Sequence, residues 1–321
     1  MTVVLILLAQ GCPPQAIIAA FGLDERTVTA WLHRAGTQCV ALHGYLVERE
    51  QVATRHVQAD EICVKVRGGM VWQAMALDVA SRLWLGGVVS RARDGALVTR
   101  LLERVRACVV SRAFLLCVDG FAAYVGAARS VFREARRTGK RGRPRLEMPE
   151  GFLLAQVVKS RKGRRLAEVT RRVVVGTEDA VARIIAAPRG GTQINTAYIE
   201  RLNATFRAHL APLARRGRAI AHGTALVESG MWLVGCAYNF CGAHESLRLR
   251  AIGGRKWQER TPAMAAGLTD HVWTLEEILR YPVPPPARTL TSKPRRGRTR
   301  DHGRLLPFPA RPAPPPQGRT A

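Results

Sequence analysis

The order of apolar runs between residues 57 and 119 constrains this chain more than any other feature. Strand-like stretches come first, at 57 to 66, at Met70 to Asp78 and at Arg82 to Ser90. Gly68-Gly69 and Val79-Ala80-Ser81 separate them with turn chemistry, which predicts hairpins. A helical stretch follows from Asp94 to about Cys108, and then one more apolar run, Phe114 to Asp119, broken by Gly120. This order predicts an α/β fold, a mixed sheet flanked by helices.

Three acids stand out against that apolar background. Successive side chains of a strand point to opposite faces. That parity puts Asp60 with Ile62, Val64 and Val66 on an apolar face, and Glu61 with Cys63, Lys65 and Arg67 on a wetter one. Asp119 ends the fourth strand-like run. Glu200 lies in the stretch Asn195 to Arg207, where Ile199, Leu202, Phe206 and Leu210 form a stripe at helical spacing. Thr196, Glu200, Asn203 and Arg207 share the polar face beside it. A carboxylate on an apolar face is costly unless it meets a cation. Two strand acids and one helix acid predict convergence on one. Asp78 falls in the second turn and reads as a local, structural acid.

The chain has 321 residues and a formal net charge of +26. Such a field suits a polyanionic partner, nucleic acid or an anionic membrane. The one early apolar run, Val3 to Ala9, is too short to span a bilayer and resembles no signal peptide. Nucleic acid is therefore the expected partner. Seven cysteines, an odd number without a Cys-x-x-Cys pair, predict reduced thiols in a cytoplasmic protein. Cys236, Cys241 and His244 lack a fourth ligand and read as core residues.

Residues 3 to 35 read as three short helices, within a first domain expected over 1–40. Pro14 suits a first helical turn, and Asp24 suits the cap of a third helix ending at about Arg34. Arg26, Thr27, Thr29, His33 and Arg34 fill its free face, the pattern of a helix-turn-helix whose last helix enters the major groove. A basic, irregular link is expected from 41 to 55. The main α/β domain is then expected over 56–275. Residues 128–194 form a strongly basic insertion within it. There Lys140-Arg141-Gly142-Arg143-Pro144-Arg145 resembles the core of an AT-hook, so Arg141, Arg143 and Arg145 are DNA-contact candidates. A tail at 276–321, dominated by Pro, Arg and Gly from Pro282 onward, is expected to be disordered.

These segments together resemble the DDE transposases of bacterial insertion sequences, within them the insertion-sequence-one type. The matching residues are Asp60-Glu61, Asp119-Gly120 with Tyr124, and Glu200-Arg201-Leu202-Asn203 with Arg207. Downstream come Tyr238-Asn239-Phe240, His244, Ser246-Leu247 and Thr261-Pro262-Ala263. The resemblance covers roughly residues 1 to 275. It implies a ribonuclease-H-like core that carries its acids on the first and fourth strands and a later helix. It implies DNA cleavage at transposon ends and transfer of the freed 3′-hydroxyl to target DNA. Two Mg²⁺ ions (Mn²⁺ as a substitute), roughly 3.5–4 Å apart, would be held by Asp60, Asp119 and Glu200. Arg201 and Arg207 would steady phosphates, and a homo-oligomer would assemble on double-stranded DNA. Two other readings use the same residues: a non-catalytic DNA-binding repressor, and a ribonuclease-H-like nuclease without strand transfer.

Overall fold

The computed structural model describes residues 1–136, 139, 143–163, 165–188, 191–213, 221, 223–250 and 256–285. Residues Met1–Pro284 form one compact unit. Of the expected disordered tail, residues 286–321 lie outside the described residues, as does Arg141.

The chain opens with α1 (Thr2–Ala9), α2 (Pro14–Phe21) and α3 (Glu25–His43). Gly22 ends α2 in the left-handed region at φ 60°, and the Asp24 carboxylate caps α3 by accepting from the Arg26 amide at 2.7 Å. The third helix does not stop at Arg34, and no irregular link begins at 41. Val28, Leu32, Ala35, Cys39 and Leu42 continue one buried stripe at helical spacing, so the helix runs on to His43 and through one wide turn over Gly44–Arg49.

The expected strands follow within two residues of their predicted places: β1 (His56–Val66), β2 (Gly69–Asp78) and β3 (Trp84–Ser90). Then come α4 (Gly95–Cys108), β4 (Leu115–Asp119) and α5 (Ala123–Phe132). Residues 128–194 are not an insertion outside the sheet. After the tail of α5 they carry a small hairpin, β5 (Glu134–Arg136) with β6 (Arg145–Glu147). Next come β7 (Leu153–Lys162), β8 (Arg165–Val175) and α6 (Glu178–Ile185). Leu153, Leu154, Ala155 and Val157 bury half of β7, while Lys159 and Lys162 give its outer half the look of a solvated loop. The chain continues through α7 (Ala197–His209), α8 (Thr224–Cys236), β9 (Leu249–Arg250), β10 (Trp257–Gln258), α9 (Pro262–Ala265) and α10 (Leu275–Arg280). The tail boundary at 276 falls inside α10, which Thr274 and Glu277 start with a reciprocal capping box.

The main sheet has six strands in the order β3-β2-β1-β4-β7-β8. β1, β2 and β3 are antiparallel neighbours, β4 and β7 run parallel to β1, and β8 turns back. This mixed order is compatible with a ribonuclease-H-like core. Gln58 and Asp60 on β1 contact α7 while their neighbour Glu61 faces Arg93 and α5, so the two helices cover opposite faces. α6 closes a small second core with Leu115, Cys117, Leu153 and Ala155.

Close helix packing joins the first helices to the sheet. A Cβ on Gly36 of α3 would lie 2.8 Å from the Ser229 backbone on α8, and one on Gly235 of α8 would strike the Trp84 ring at 2.2 Å. Asn239, buried just after α8, bonds both the amide and the carbonyl of Trp84 at 2.9 Å. The Tyr-Asn-Phe motif is thus in part a brace for β3. No helix among the described residues is long and apolar enough to cross a membrane.

Candidate metal centre

β1 and β4 are paired in parallel up to Ala59 and Val118, which leaves Asp60 and Asp119 as the next residues on adjacent strands. Neighbouring strands lie about 4.8 Å apart. The two carboxylates are therefore side by side at the end of the parallel pairing, on the sheet face covered by α7. One oxygen each of Asp60, Glu61 and Asp119 lie within 4.8 Å of one another.

The surroundings make this cluster short of positive charge. Burial, then the charges of Glu61 and Asp119, push the Asp60 carboxyl up to about 7, and Glu200 adds to the rise. Burial also raises Glu61. Glu61 is not on a wet face: it is 7% exposed, because the loop after β3 folds Arg93 across it. Arg93 donates to Glu61 Oε2 at 2.9 and 3.0 Å and to Asp119 Oδ2 at 3.1 Å, with its guanidinium 4.3 Å from the Phe121 ring centroid. The Tyr124 hydroxyl lies near enough to hold the Glu61 carboxyl down. Yet neither Tyr124 Oη nor Glu61 Oε1 closes a hydrogen bond of normal geometry.

Glu200 comes from α7, whose first turn is clamped to β1. The fully buried Gln58 accepts from the amides of Tyr198 and Ile199 at 3.0 Å and donates to the Asn195 carbonyl at 2.8 Å. One turn on, Asn203 donates to Asp60 Oδ2 at 2.8 Å. Glu200 itself accepts from Thr196 at 2.9 Å and from Lys159 of β7 at 2.5 Å. The structure thus brings Asp60 and Asp119 together with Glu61. It puts Glu200 within electrostatic reach of Asp60 but outside the shell that those three share.

An all-oxygen set with one partnerless buried carboxylate oxygen fits a hard divalent cation such as Mg²⁺ or Mn²⁺. Among the described residues a second group is His43, Glu48 and Cys108, in which Glu48 pairs with Arg104 at 2.7 Å. Cys236, Cys241 and His244 form no such group.

The remaining candidates are spread over the surface. Arg26 and Arg34 are exposed, and Thr27 and Thr29 are half-buried. His33 does not join that free face, because α8 packs beside it and its Nδ1 lies 2.8 Å from Ser229 Oγ. Arg143 and Arg145 are exposed on the small hairpin, and Arg145 Nε lies 3.5 Å from Glu147. Arg201 is exposed and Arg207 half-buried, both on α7. Asp78 is buried, accepting from Thr54, from the Ser81 amide at 2.8 Å and from its hydroxyl at 2.6 Å; it holds the β2–β3 turn.

Sequence reasoning overlooked Gln58 and Arg93. Gln58 carried a signal, a polar residue two places before Asp60 on the same strand face. Arg93 carried none, because its partners are 32 and 26 residues away.

No protein-family model and no curated protein matches the chain. Among solved structures, it is similar to a chain of the "CryoEM structure of simian T-cell lymphotropic virus intasome in complex with PP2A regulatory subunit B56 gamma". The identity is 14%, the likeness covers 40% of this chain and 48% of that one, and the TM-score is 0.23.

Proposed function

We propose that this protein is a divalent-metal-dependent DNA strand-transferase, a DDE transposase that cuts and joins DNA at the ends of an insertion sequence. One observation carries the reading: Asp60 and Asp119 stand side by side on adjacent parallel strands, with Glu61 beside them and Glu200 brought over by α7. Asp60, Asp119 and Glu200 are the residues assigned to hold the metal, and the Glu61 carboxylate is a further oxygen at its edge. When bound, divalent ions neutralise the phosphodiester and activate the attacking hydroxyl.

The chain's own groups do the rest. Asn203 orients the Asp60 carboxylate, so that its second oxygen is free to face the cation. Gln58 holds the first turn of α7 and thereby the position of Glu200. Arg93 and Lys159 neutralise the acids before metal arrives, and each is a phosphate ligand once its carboxylate is engaged elsewhere. Arg26, Thr27, Thr29 and Arg34 are the assigned contacts to the transposon ends, with Arg143, Arg145, Arg201 and Arg207 along the phosphates. The expected assembly on paired ends is a homo-oligomer.

A second reading has its own observation. Arg93 and Lys159 already satisfy Glu61, Asp119 and Glu200, as they would in a DNA-binding repressor that holds no metal. A plasmid carrying the DNA that flanks the coding region separates the two. Mg²⁺-dependent nicking followed by joined products, lost in each of Asp60→Ala, Asp119→Ala and Glu200→Ala with DNA binding intact, is expected. Cleavage without joined products would reduce the protein to a nuclease. DNA binding without Mg²⁺-dependent cleavage would make it a repressor.

A further inference from the structure

α7 has a second working face. Glu200 and Asn203 point to the acids, whereas Tyr198, Arg201, Leu202, Thr205 and His209 line a half-open cleft against the end of α8 and the chain after it. We propose that this cleft is a separate nucleic-acid site that takes one unpaired nucleotide of a DNA strand. The inference rests on the reading that DNA is the substrate of the acid cluster.

Charge and shape name the ligand. The cleft has a volume of about 770 Å³, within the range that accepts a small molecule rather than a duplex. Arg82, Arg201 and Arg248 line it, against Glu245 as the single carboxylate among the described residues. Among the described residues no carboxylate pairs with any of the three arginines. Arg248 rests on the Trp257 ring at 4.4 Å and Arg82 on the Tyr198 ring at 3.8 Å. Unpaired guanidinium groups at a cleft select phosphate. Leu77, Leu202 and Val234 supply an apolar floor, the surface an unstacked base requires. A nucleotide joins both demands.

The site is also built rather than incidental. Arg82 is 7% exposed and sits at φ 62°, a left-handed conformation that a non-glycine residue keeps only when its surroundings hold it. They do so here: its carbonyl accepts from the Tyr238 hydroxyl at 3.1 Å, and its guanidinium donates to the Val79 carbonyl. Burial and the nearby Arg82 and Arg201 charges lower the pKa of His244 in the same cleft, whose Nδ1 lies 3.0 Å from Ser246 Oγ. The cleft and the acids lie on two sides of one helix. A helix is about 10 Å across, or about three steps of 3.4 Å along a duplex strand. The captured nucleotide would therefore lie a few positions from the phosphate at the acids.

The test uses the full chain in EDTA, so that no cleavage intervenes. Affinity is measured for a blunt duplex, for the same duplex with a three-nucleotide single-stranded end, and for dAMP. Wild-type protein is expected to prefer the single-stranded end to the blunt duplex by roughly ten-fold. Arg248→Gln, at an exposed side chain of the cleft, should leave blunt-duplex affinity unchanged and cut that preference by at least about three-fold. Glu245→Gln should strengthen it. Equal wild-type affinity for both duplexes would overturn the proposal, and so would an equal loss on both in Arg248→Gln, which marks only a phosphate-lined surface. Tighter binding of dAMP than of the single-stranded end would assign the cleft to a free nucleotide and refute the DNA source. Asp60→Asn should keep the preference while losing Mg²⁺-dependent cleavage. A cleft that works in a protein that never cleaves would sink the strand-transferase reading alone, and cleavage without the preference would sink the cleft alone.

Discussion

Asp60→Asn should stabilise the metal-free protein at alkaline pH, the reverse of what removing a charged surface residue does. Proton linkage sets the sign. The folded-state carboxyl titrates at about 7 against an ordinary 3.8. Below pH 4 it is protonated in both states and costs nothing. Between pH 4 and 7 the folded state holds the extra proton, so stability falls as pH rises, and above 7 the full penalty is present. Moving a carboxyl from 3.8 to about 7 corresponds to about 4 kcal/mol, and partial solvent access at the site brings the expected loss to about 2 kcal/mol. An asparagine keeps an acceptor for the Asn203 amide, which now donates to Asp60 at 2.8 Å, and carries no charge. Urea unfolding in EDTA at pH 5 and pH 8, on both proteins, reads the difference of differences. Wild type should lose about 1 kcal/mol more than Asp60→Asn across that interval, the rest of the penalty being already present at pH 5. Saturating Mg²⁺ at pH 8 should return more to wild type, about 2.7 kcal/mol at a hundred-fold excess over its Kd, and nothing comparable to the variant. Parallel pH profiles for the two proteins would refute the account of a strained acid cluster, as would a variant less stable than wild type at pH 8.

Four further outcomes are expected. Arg93→Gln should weaken the metal-free fold by about 1–3 kcal/mol, because it strips the buried Glu61 of its partner, and should tighten Mn²⁺ binding measured by calorimetry; unchanged Mn²⁺ affinity would show that Arg93 does not compete with metal. Gln58→Leu should cost about 2–4 kcal/mol by leaving helix amides unmet and should lower Mg²⁺-dependent cleavage while blunt-duplex affinity holds, so full cleavage would show that α7 needs no clamp. Asp78→Ala should unfold at lower urea by about 2–3 kcal/mol yet cleave normally once folded; lost cleavage in folded protein would move Asp78 into the site. Arg143→Ala with Arg145→Ala should flatten the slope of log affinity against log salt on duplex DNA by up to about 0.9 for each phosphate no longer neutralised, and an unchanged slope would mark the hairpin charge as solvated.

The alternation of side chains made the first four strands legible, and with them the placement of Asp60 and Asp119. The fifth strand was hidden because Leu153 to Val157 is short and its continuation is Lys-Arg rich. Antiparallel pairing with β8, not the strand's own pattern, keeps that basic half in the sheet. Glu61 was misplaced for a related reason. Parity assigns a face but not what covers it, and Arg93 reaches it from 32 residues away. The length of α3 was readable, since Cys39 and Leu42 extend the stripe of Val28 and Leu32. Glycine at 36 and polar neighbours at 37 and 38 masked it. The stance of Glu200 toward Lys159 belongs to tertiary packing and leaves no trace in either segment.

The bare backbone contact at Gly36 has a mechanical meaning. At Gly36, α3 meets α8 with no side chain of its own between them, and at Gly235 α8 in turn lies against Trp84 of the sheet with equally little slack. The first helices are thereby bolted to β3, in the sheet that carries the acids. If α2 and α3 bind DNA as proposed, the bound sequence is held at a set distance and angle from Asp60, and the molecule would act as a caliper: the interval between that sequence and a cut phosphate would be gauged by the protein's own frame. Adding one methyl at position 36 would spring the jaws, and the gauge would be lost before the fold was.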